Sequence, residues 1–152
     1  MTTMFWAALG LIFYCYVGYP LFMTLLARIA PRPVRRQDIL PTVSVLISVW
    51  NEEDVIEAKI QNLLALDYPA DKIDFYIGSD CSTDRTDTII RAFNDPRLHI
   101  VAASERRGKM MMLNDLAALA GHEIFVFTDA RQIFAPDAVR RLVRNLADPR
   151  VG

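Results

Sequence analysis

Thr42-Val43-Ser44-Val45-Leu46-Ile47-Ser48-Val49-Trp50-Asn51-Glu52-Glu53-Asp54 changes character at one point. Up to Val49 the residues are apolar or β-branched apart from two serines, and from Asn51 they are polar and acidic. The first part has the composition of a strand covered on both faces, as in a parallel sheet. Asn51 then offers a helix N-cap, with Glu52, Glu53 and Asp54 in the first turn, where the helix dipole favours negative charge. Val55, Ile56, Ile60, Leu63 and Leu64 supply one apolar helix face, and Asp67-Tyr68-Pro69 ends it.

The same alternation continues toward the carboxyl terminus. Ile73 to Ser79 is a second strand, followed by the turn Asp80-Cys81-Ser82-Thr83-Asp84 and a helix to about Phe93. Leu98 to Ala103 is a third strand, and Arg106-Arg107-Gly108-Lys109 leads into a helix with Leu113, Leu116 and Leu119 inward. Ile124 to Thr128 is a fourth strand; Pro136, at an N1-like position, opens a helix with Val139, Leu142, Val143 and Leu146 on one face. Strand and helix alternate four times, which predicts an α/β fold, a parallel sheet with helices on both faces.

Upstream the chain is of another kind. No Asp, Glu, Lys, Arg or His occurs from Met1 to Ala27. As a helix this stretch would be roughly 40 Å long, enough for the ~30 Å hydrocarbon core of a bilayer. A cleaved signal peptide would need a basic start, a shorter apolar core and small residues before the cut. We therefore expect a retained transmembrane helix over residues 4–27, kinked near Gly18 and Pro20, and a basic, proline-rich linker over residues 28–41. Arg28, Arg32, Arg35 and Arg36 follow the span, so the positive-inside rule places the amino terminus outside and the domain in the cytoplasm. Beyond Arg36 there are thirteen basic and eighteen acidic residues, a net charge of −5 that argues against nucleic acid as a partner. Cys15 and Cys81 fall on opposite sides of this boundary and are not expected to pair. His99 and His122 read as ordinary surface or strand-edge side chains.

Ligands of parallel α/β sheets bind at the carboxyl ends of the strands. Those ends carry Asn51, Asp80 and Asp129 here. Neither G-x-G-x-x-G after the first strand nor G-x-x-x-x-G-K-[ST] is present, which sets aside dinucleotide dehydrogenases and P-loop NTPases. Carboxylates at strand ends suit base or ribose hydrogen bonds or a divalent cation, and a Gly-Lys pair at a helix start suits phosphate.

Four segments in order, VSVLISVWNEE (residues 43–53), IGSDCSTD (77–84), ERRGK (105–109) and FVFTDA (125–130), resemble the landmarks of the family 2 glycosyltransferases. The resemblance implies a GT-A, Rossmann-like fold. It also implies an inverting enzyme that uses a nucleotide sugar, of the membrane-bound type that makes bacterial polysaccharides. By resemblance Asp80 accepts a hydrogen bond from the nucleobase, usually uracil, while Trp50, Asn51 and Glu52 border the nucleoside pocket. Gly108 and Lys109 approach the diphosphate. Asp129 matches the first acid of a D-x-D-type motif, which binds ribose and the Mg²⁺ or Mn²⁺ that bridges the diphosphate. Where the fuller motif has a second acid this chain has Arg131, left to pair with Asp129 or to meet the diphosphate.

The family's general base and a downstream Q-x-x-R-W belong to later segments, so the catalytic base is expected beyond Gly152. Residues 42–152 are then the donor-binding half of an enzyme that transfers sugar from a UDP-sugar to a glycan or lipid-linked acceptor at the bacterial inner membrane. A membrane-anchored nucleotide-binding or interaction module without catalysis is the alternative.

Overall fold

The computed structural model describes residues 2–151 and divides the chain into two compact units, Met1–Arg35 and Arg36–Gly152. The first unit is helical from Thr2 to Ile29, in three pieces: α1 (Thr2–Phe13), a π-helical turn (Tyr14–Gly18) and α2 (Tyr19–Ile29). The turn has a local cause. Pro20 has no N–H to give and its ring crowds the carbonyl four residues back, so the ladder shifts to the wider spacing. The Tyr19 N–H accordingly donates to the Tyr14 carbonyl, five residues earlier. Thr24 Oγ1 donates to the Pro20 carbonyl at 2.7 Å. No residue of these helices is buried, and by length and composition the helix is long and apolar enough to cross a membrane.

The second unit begins inside the expected linker. Arg36 Nε donates to Asn145 Oδ1 at 3.1 Å, and Arg144 pairs with Asp38 at 3.1 Å. The Leu40 and Pro41 carbonyls accept from Lys72 Nζ and Tyr68 Oη at 2.9 and 2.5 Å. Residues 36–41 thus lie along the sheet unit although they contain no regular structure.

The sheet has four parallel strands, β1 (Val43–Val49), β2 (Ile73–Ser79), β3 (Leu98–Ala102) and β4 (Ile124–Phe127), in the order β3-β2-β1-β4. The register places Val45 beside both Phe75 and Val126, and Ile77 beside Ile100. Between the strands run α3 (Ile56–Leu64), α4 (Thr86–Arg91) and α5 (Lys109–Leu119), and after β4 comes α6 (Ala138–Val143). Strand side chains alternate between two cores. Val43, Val45, Ile47 and Val49 of β1 and Ile73, Phe75 and Ile77 of β2 join Ile56, Ile60 and Leu63 of α3, Ile90 of α4, and Val139 and Val143 of α6. On the opposite face Leu46 and Tyr76 pack against Met112, Leu113 and Leu116 of α5.

Helices do cover both faces, unequally, and several side chains therefore sit otherwise than the pattern predicts. Leu119, the last residue of α5, is exposed, and so is Leu142 in the short α6, which buries only Val139 and Val143. Of the three consecutive methionines, Met112 is fully buried and both Met110 and Met111 are exposed. The first helix opens at Ile56 with Val55 as its cap residue, so Asn51 is not its N-cap. Pro136 precedes the cap of the last helix, Asp137, and is not its first residue. His99 and His122 both face Asp74, with Nε2 3.8 and 3.7 Å from its carboxylate oxygens.

Gly78 lets α5 approach the sheet. A Cβ there would lie 2.4 Å from both Cγ and Sδ of the fully buried Met112, and 3.1 Å from Leu116 Cδ1. We expect Gly78→Ala to destabilise the sheet unit by roughly 1–3 kcal/mol through overpacking, measured by urea unfolding of the full chain in detergent.

Candidate functional site

β2 and then β3 are added on one side of β1, and β4 on the other. The winding reverses between β1 and β4, and the crevice outside their carboxyl ends is where ligands of such sheets bind. A cleft of about 440 Å³ lies there, lined by Trp50, Glu52, Asp80, Gly108, Lys109 and Asp129 together with Arg106 and Arg131. Of the seven residues picked from the sequence, only Asn51 is missing from its wall.

Asn51 does a different job. Its backbone is in the left-handed region, at φ 51°, a conformation asparagine tolerates better than most side chains. Its Oδ1 accepts from the Thr83 N–H at 2.8 Å, and its Nδ2 donates to Thr83 Oγ1 at 3.1 Å. Its own N–H donates to Ser82 Oγ at 3.2 Å. The following residues repeat the pattern: the Glu52 N–H donates to Thr86 Oγ1, the Glu53 N–H to Asp84 Oδ2, and the Arg85 N–H to Glu53 Oε2. The loop after β1 and the loop after β2 are thereby interlocked, one polar side chain to one backbone group. The acids at 52–54 precede the helix, and Glu53 serves this interlock, where helix-start electrostatics would have kept it in the first turn. Asp84 also accepts from the Thr86 N–H at 2.9 Å, which organises the start of α4. Burial alone would raise its pKa, but the hydrogen bonds from Thr86 and the Glu53 backbone outweigh it and hold the carboxyl below its ordinary value.

Asp80 is 3 % exposed, and both carboxylate oxygens are already engaged. Oδ1 accepts from the Arg107 N–H and Oδ2 from the Gly108 N–H, each at 2.8 Å. These bonds fold the segment before α5 back over the end of β2. Gly108 makes the fold possible, since its φ of 91° lies where a side chain would be strained. The result is that α5 starts at the cleft with Lys109, its N-terminal N–H groups and positive dipole end near the place for an anion.

The cleft wall is closed by one stack and two ion pairs. The Arg106 guanidinium lies 3.7 Å from the centre of the Trp50 ring, a cation–π contact that the sequence did not single out. Lys109 Nζ contacts Asp129 Oδ1. Arg131 Nε donates to Glu52 at 3.1–3.2 Å, so Arg131 pairs across the cleft with Glu52 and not with Asp129. Asp129, with its side chain half exposed, remains available from the solvent side.

Behind Asp129 stands a residue the sequence reading passed over. Lys59 is fully buried, with Nζ donating to Thr128 Oγ1 at 3.0 Å and to the Gln132 carbonyl at 2.6 Å, 4.3 Å from the centre of the Phe134 ring. Burial lowers its pKa to about 8, against the opposing pull of the Asp129 charge. The signal was present: Ile56, Lys59, Ile60 and Leu63 have the spacing of an inward helix face, and a lysine on that face must have partners inside.

The fold is of the GT-A type, and the chain belongs to glycosyl transferase family 2, whose sequence model, "Glycosyl transferase family 2", matches residues 44–152. The chain is 35 % identical over 116 residues to a beta-monoglucosyldiacylglycerol synthase of Synechocystis sp., covering 74 % of this chain and 24 % of that protein. It is 32 % identical over 123 residues to a poly-beta-1,6-N-acetyl-D-glucosamine synthase of Staphylococcus aureus, covering 80 % of this chain and 29 % of that one. It therefore spans about a quarter of the length of these relatives. Among solved structures, the mannosyltransferase PcManGT of Pyrobaculum calidifontis, in complex with GDP-Man and Mn²⁺, superimposes with a TM-score of 0.79 at 34 % identity, over 91 % of this chain and 43 % of that one. S. aureus TarS 1-349 in complex with UDP-GlcNAc shares the fold, with a TM-score of 0.61 at 23 % identity over 67 % of this chain and 30 % of that one.

Because the folded-state pKa of Asp84 lies below its unfolded one, its contribution to stability is present at neutral pH and is lost as pH falls through that depressed value. The stability difference between the wild type and Asp84→Ala should accordingly be largest near neutrality and close below the ordinary carboxylate range, as followed by urea unfolding over a series of pH values.

Proposed function

We propose that this chain is the membrane-anchored, donor-binding part of an inverting glycosyltransferase that transfers a sugar from a nucleotide donor, UDP-linked, to a glycan or lipid-linked acceptor. The observation that carries the reading is the cleft at the β1/β4 reversal, where Asp80, the Gly108-Lys109 helix start and Asp129 come together from three separate chain segments.

Each residue then has a task. The Trp50–Arg106 stack offers a flat wall for a base. Asp80 holds the Arg107-Gly108 backbone in place, and the second lone pair on each of its oxygens is free to accept a base N–H. Asn51 acts one step back, by setting the path of the loop that carries Trp50 and Glu52. Lys109 and the start of α5 meet the diphosphate, and Arg131 adds positive charge on the facing loop. The reaction forms a bond from an acceptor oxygen to the anomeric carbon and breaks the bond from that carbon to the diphosphate oxygen. The acceptor proton passes to a carboxylate base, and the nucleoside diphosphate departs with increased negative charge. Fixed cationic groups near that departing charge stabilise the transition state more than the ground state.

A divalent cation fits this site as a one-carboxylate arrangement. Among the described residues no group of three His, Cys, Asp or Glu side chains gathers to hold a metal. Mg²⁺ is commonly held by one or two carboxylates plus substrate phosphates and water, and Asp129 supplies one. Asp129 would hold the cation, whose chemistry is to neutralise the diphosphate as it leaves. Lys109 would then exchange its contact with Asp129 for one with phosphate.

The apolar helix over Thr2–Ile29, with Arg28 in its last turn and Arg32, Arg35 and Arg36 after it, supports anchoring in a bacterial inner membrane with the amino terminus outside and the sheet unit in the cytoplasm. Bacterial synthases of a glycolipid and of a polysaccharide among the relatives support an acceptor of one of those classes.

Titration of the full chain in detergent with UDP, with and without Mn²⁺, tests the reading. We expect saturable binding that Mn²⁺ tightens, and loss of the Mn²⁺ effect in Asp129→Ala, with UDP affinity reduced about tenfold, equivalent to about 1.4 kcal/mol. A folded wild-type chain that fails to bind millimolar UDP would sink the UDP donor assignment.

A further inference from the structure

A lysine with no exposed surface is an expensive choice for a helix face that otherwise carries isoleucine and leucine. Among the described residues no carboxylate lies within ion-pair distance of Lys59; two of its three N–H groups go to Thr128 Oγ1 and the Gln132 carbonyl. An apolar side chain of the same length would fill the space without the desolvation cost. What it could not do is grip the backbone of a loop.

One helical turn further along α3 there is a second grip. Asn62 Nδ2 donates to the Phe134 carbonyl and its Oδ1 accepts from the Phe134 N–H, both at 2.8 Å. The segment from Thr128 to Phe134 contains no helix or strand, yet one face of α3 holds it at its first residue, at Gln132 and at its last. Between the first two anchors lie Asp129 and Arg131, the acid facing Lys109 and the base facing Glu52. Neither of those exposed ion pairs is enough to fix a loop. The buried anchors are.

We propose that Lys59, seconded by Asn62, is a positioning residue of the donor site: it fixes the loop after β4 so that Asp129 meets Lys109 at the start of α5 and Arg131 meets Glu52, on the wall of the cleft. This rests on the donor-site reading above. It gives α3, which touches no part of the cleft, a role in diphosphate recognition that is separate from base recognition at Trp50 and Asp80. A chain lacking the grip should keep its base subsite and lose the pairing of its phosphate subsite.

Lys59→Met keeps the length and volume of the side chain and removes its donors. In the full chain in detergent, we expect amide hydrogen exchange at residues 129–134 to accelerate about tenfold while β1 amides keep their protection. We also expect UDP affinity in Mn²⁺ to fall about tenfold while uridine affinity is unchanged. Unchanged exchange at 129–134 would overturn the proposal, as would UDP and uridine affinities that weaken together, the mark of general damage. If Lys59→Met does not fold, Asn62→Ala, which empties a half-buried position, is read by the same two measurements with the same outcomes. A wild-type chain that binds no UDP removes the donor-site reading, and the exchange measurement still decides whether Lys59 orders the loop.

Discussion

β1 is hydrogen-bonded to a parallel strand on each side and covered by helices on each face, and its side chains are apolar apart from Ser44 and Ser48, each one residue from an end. That constraint organises the rest. The chain must leave the sheet at Val49 and turn at once, and because β2 and β4 flank β1 in the same direction, their exits lie beside it. Three polar loops are forced to one edge, and the cleft is the space between them.

Once there, the loops hold one another. Asn51, Glu52 and Glu53 are tied to residues 82–86, Asp80 to Arg107 and Gly108, and the segment after β4 to α3. Most of the polar side chains at this edge are therefore spent on backbone groups of a neighbouring loop. What faces the cleft is a small remainder: the Trp50–Arg106 stack, the Lys109–Asp129 and Arg131–Glu52 pairs, and the α5 amino terminus. The two pairs bring opposite charges together on the cleft wall.

The elements of the sheet were readable because their residues answer to local rules. β1 and β2 are mostly apolar and β-branched, and the intervening helices carry an inward face. The errors arise where tertiary partners override a local pattern. Leu119 and Leu142 match an inward spacing but are exposed, since spacing does not say whether another layer lies over a residue. Asn51 matches an N-cap by sequence, but the hydrogen-bond partners in loop 82–86 compete for the same side chain and win, leaving the helix to begin five residues later.

By itself the sequence determined the alternation of strand and helix, the apolar amino-terminal helix, and the order of the four family landmarks, because hydrophobic period and turn chemistry are local properties of the chain. It also placed Asn51, Asp80 and Asp129 at one edge of the sheet, since parallel strands share a direction. Only the tertiary structure decided which charge meets which: that Arg131 reaches Glu52, that Asp80 spends its carboxylate on two backbone N–H groups, and that Lys59 stands buried behind Asp129. Those pairings join residues some 20 to 80 positions apart, and their distances are set by how helices and strands pack, which no local pattern encodes.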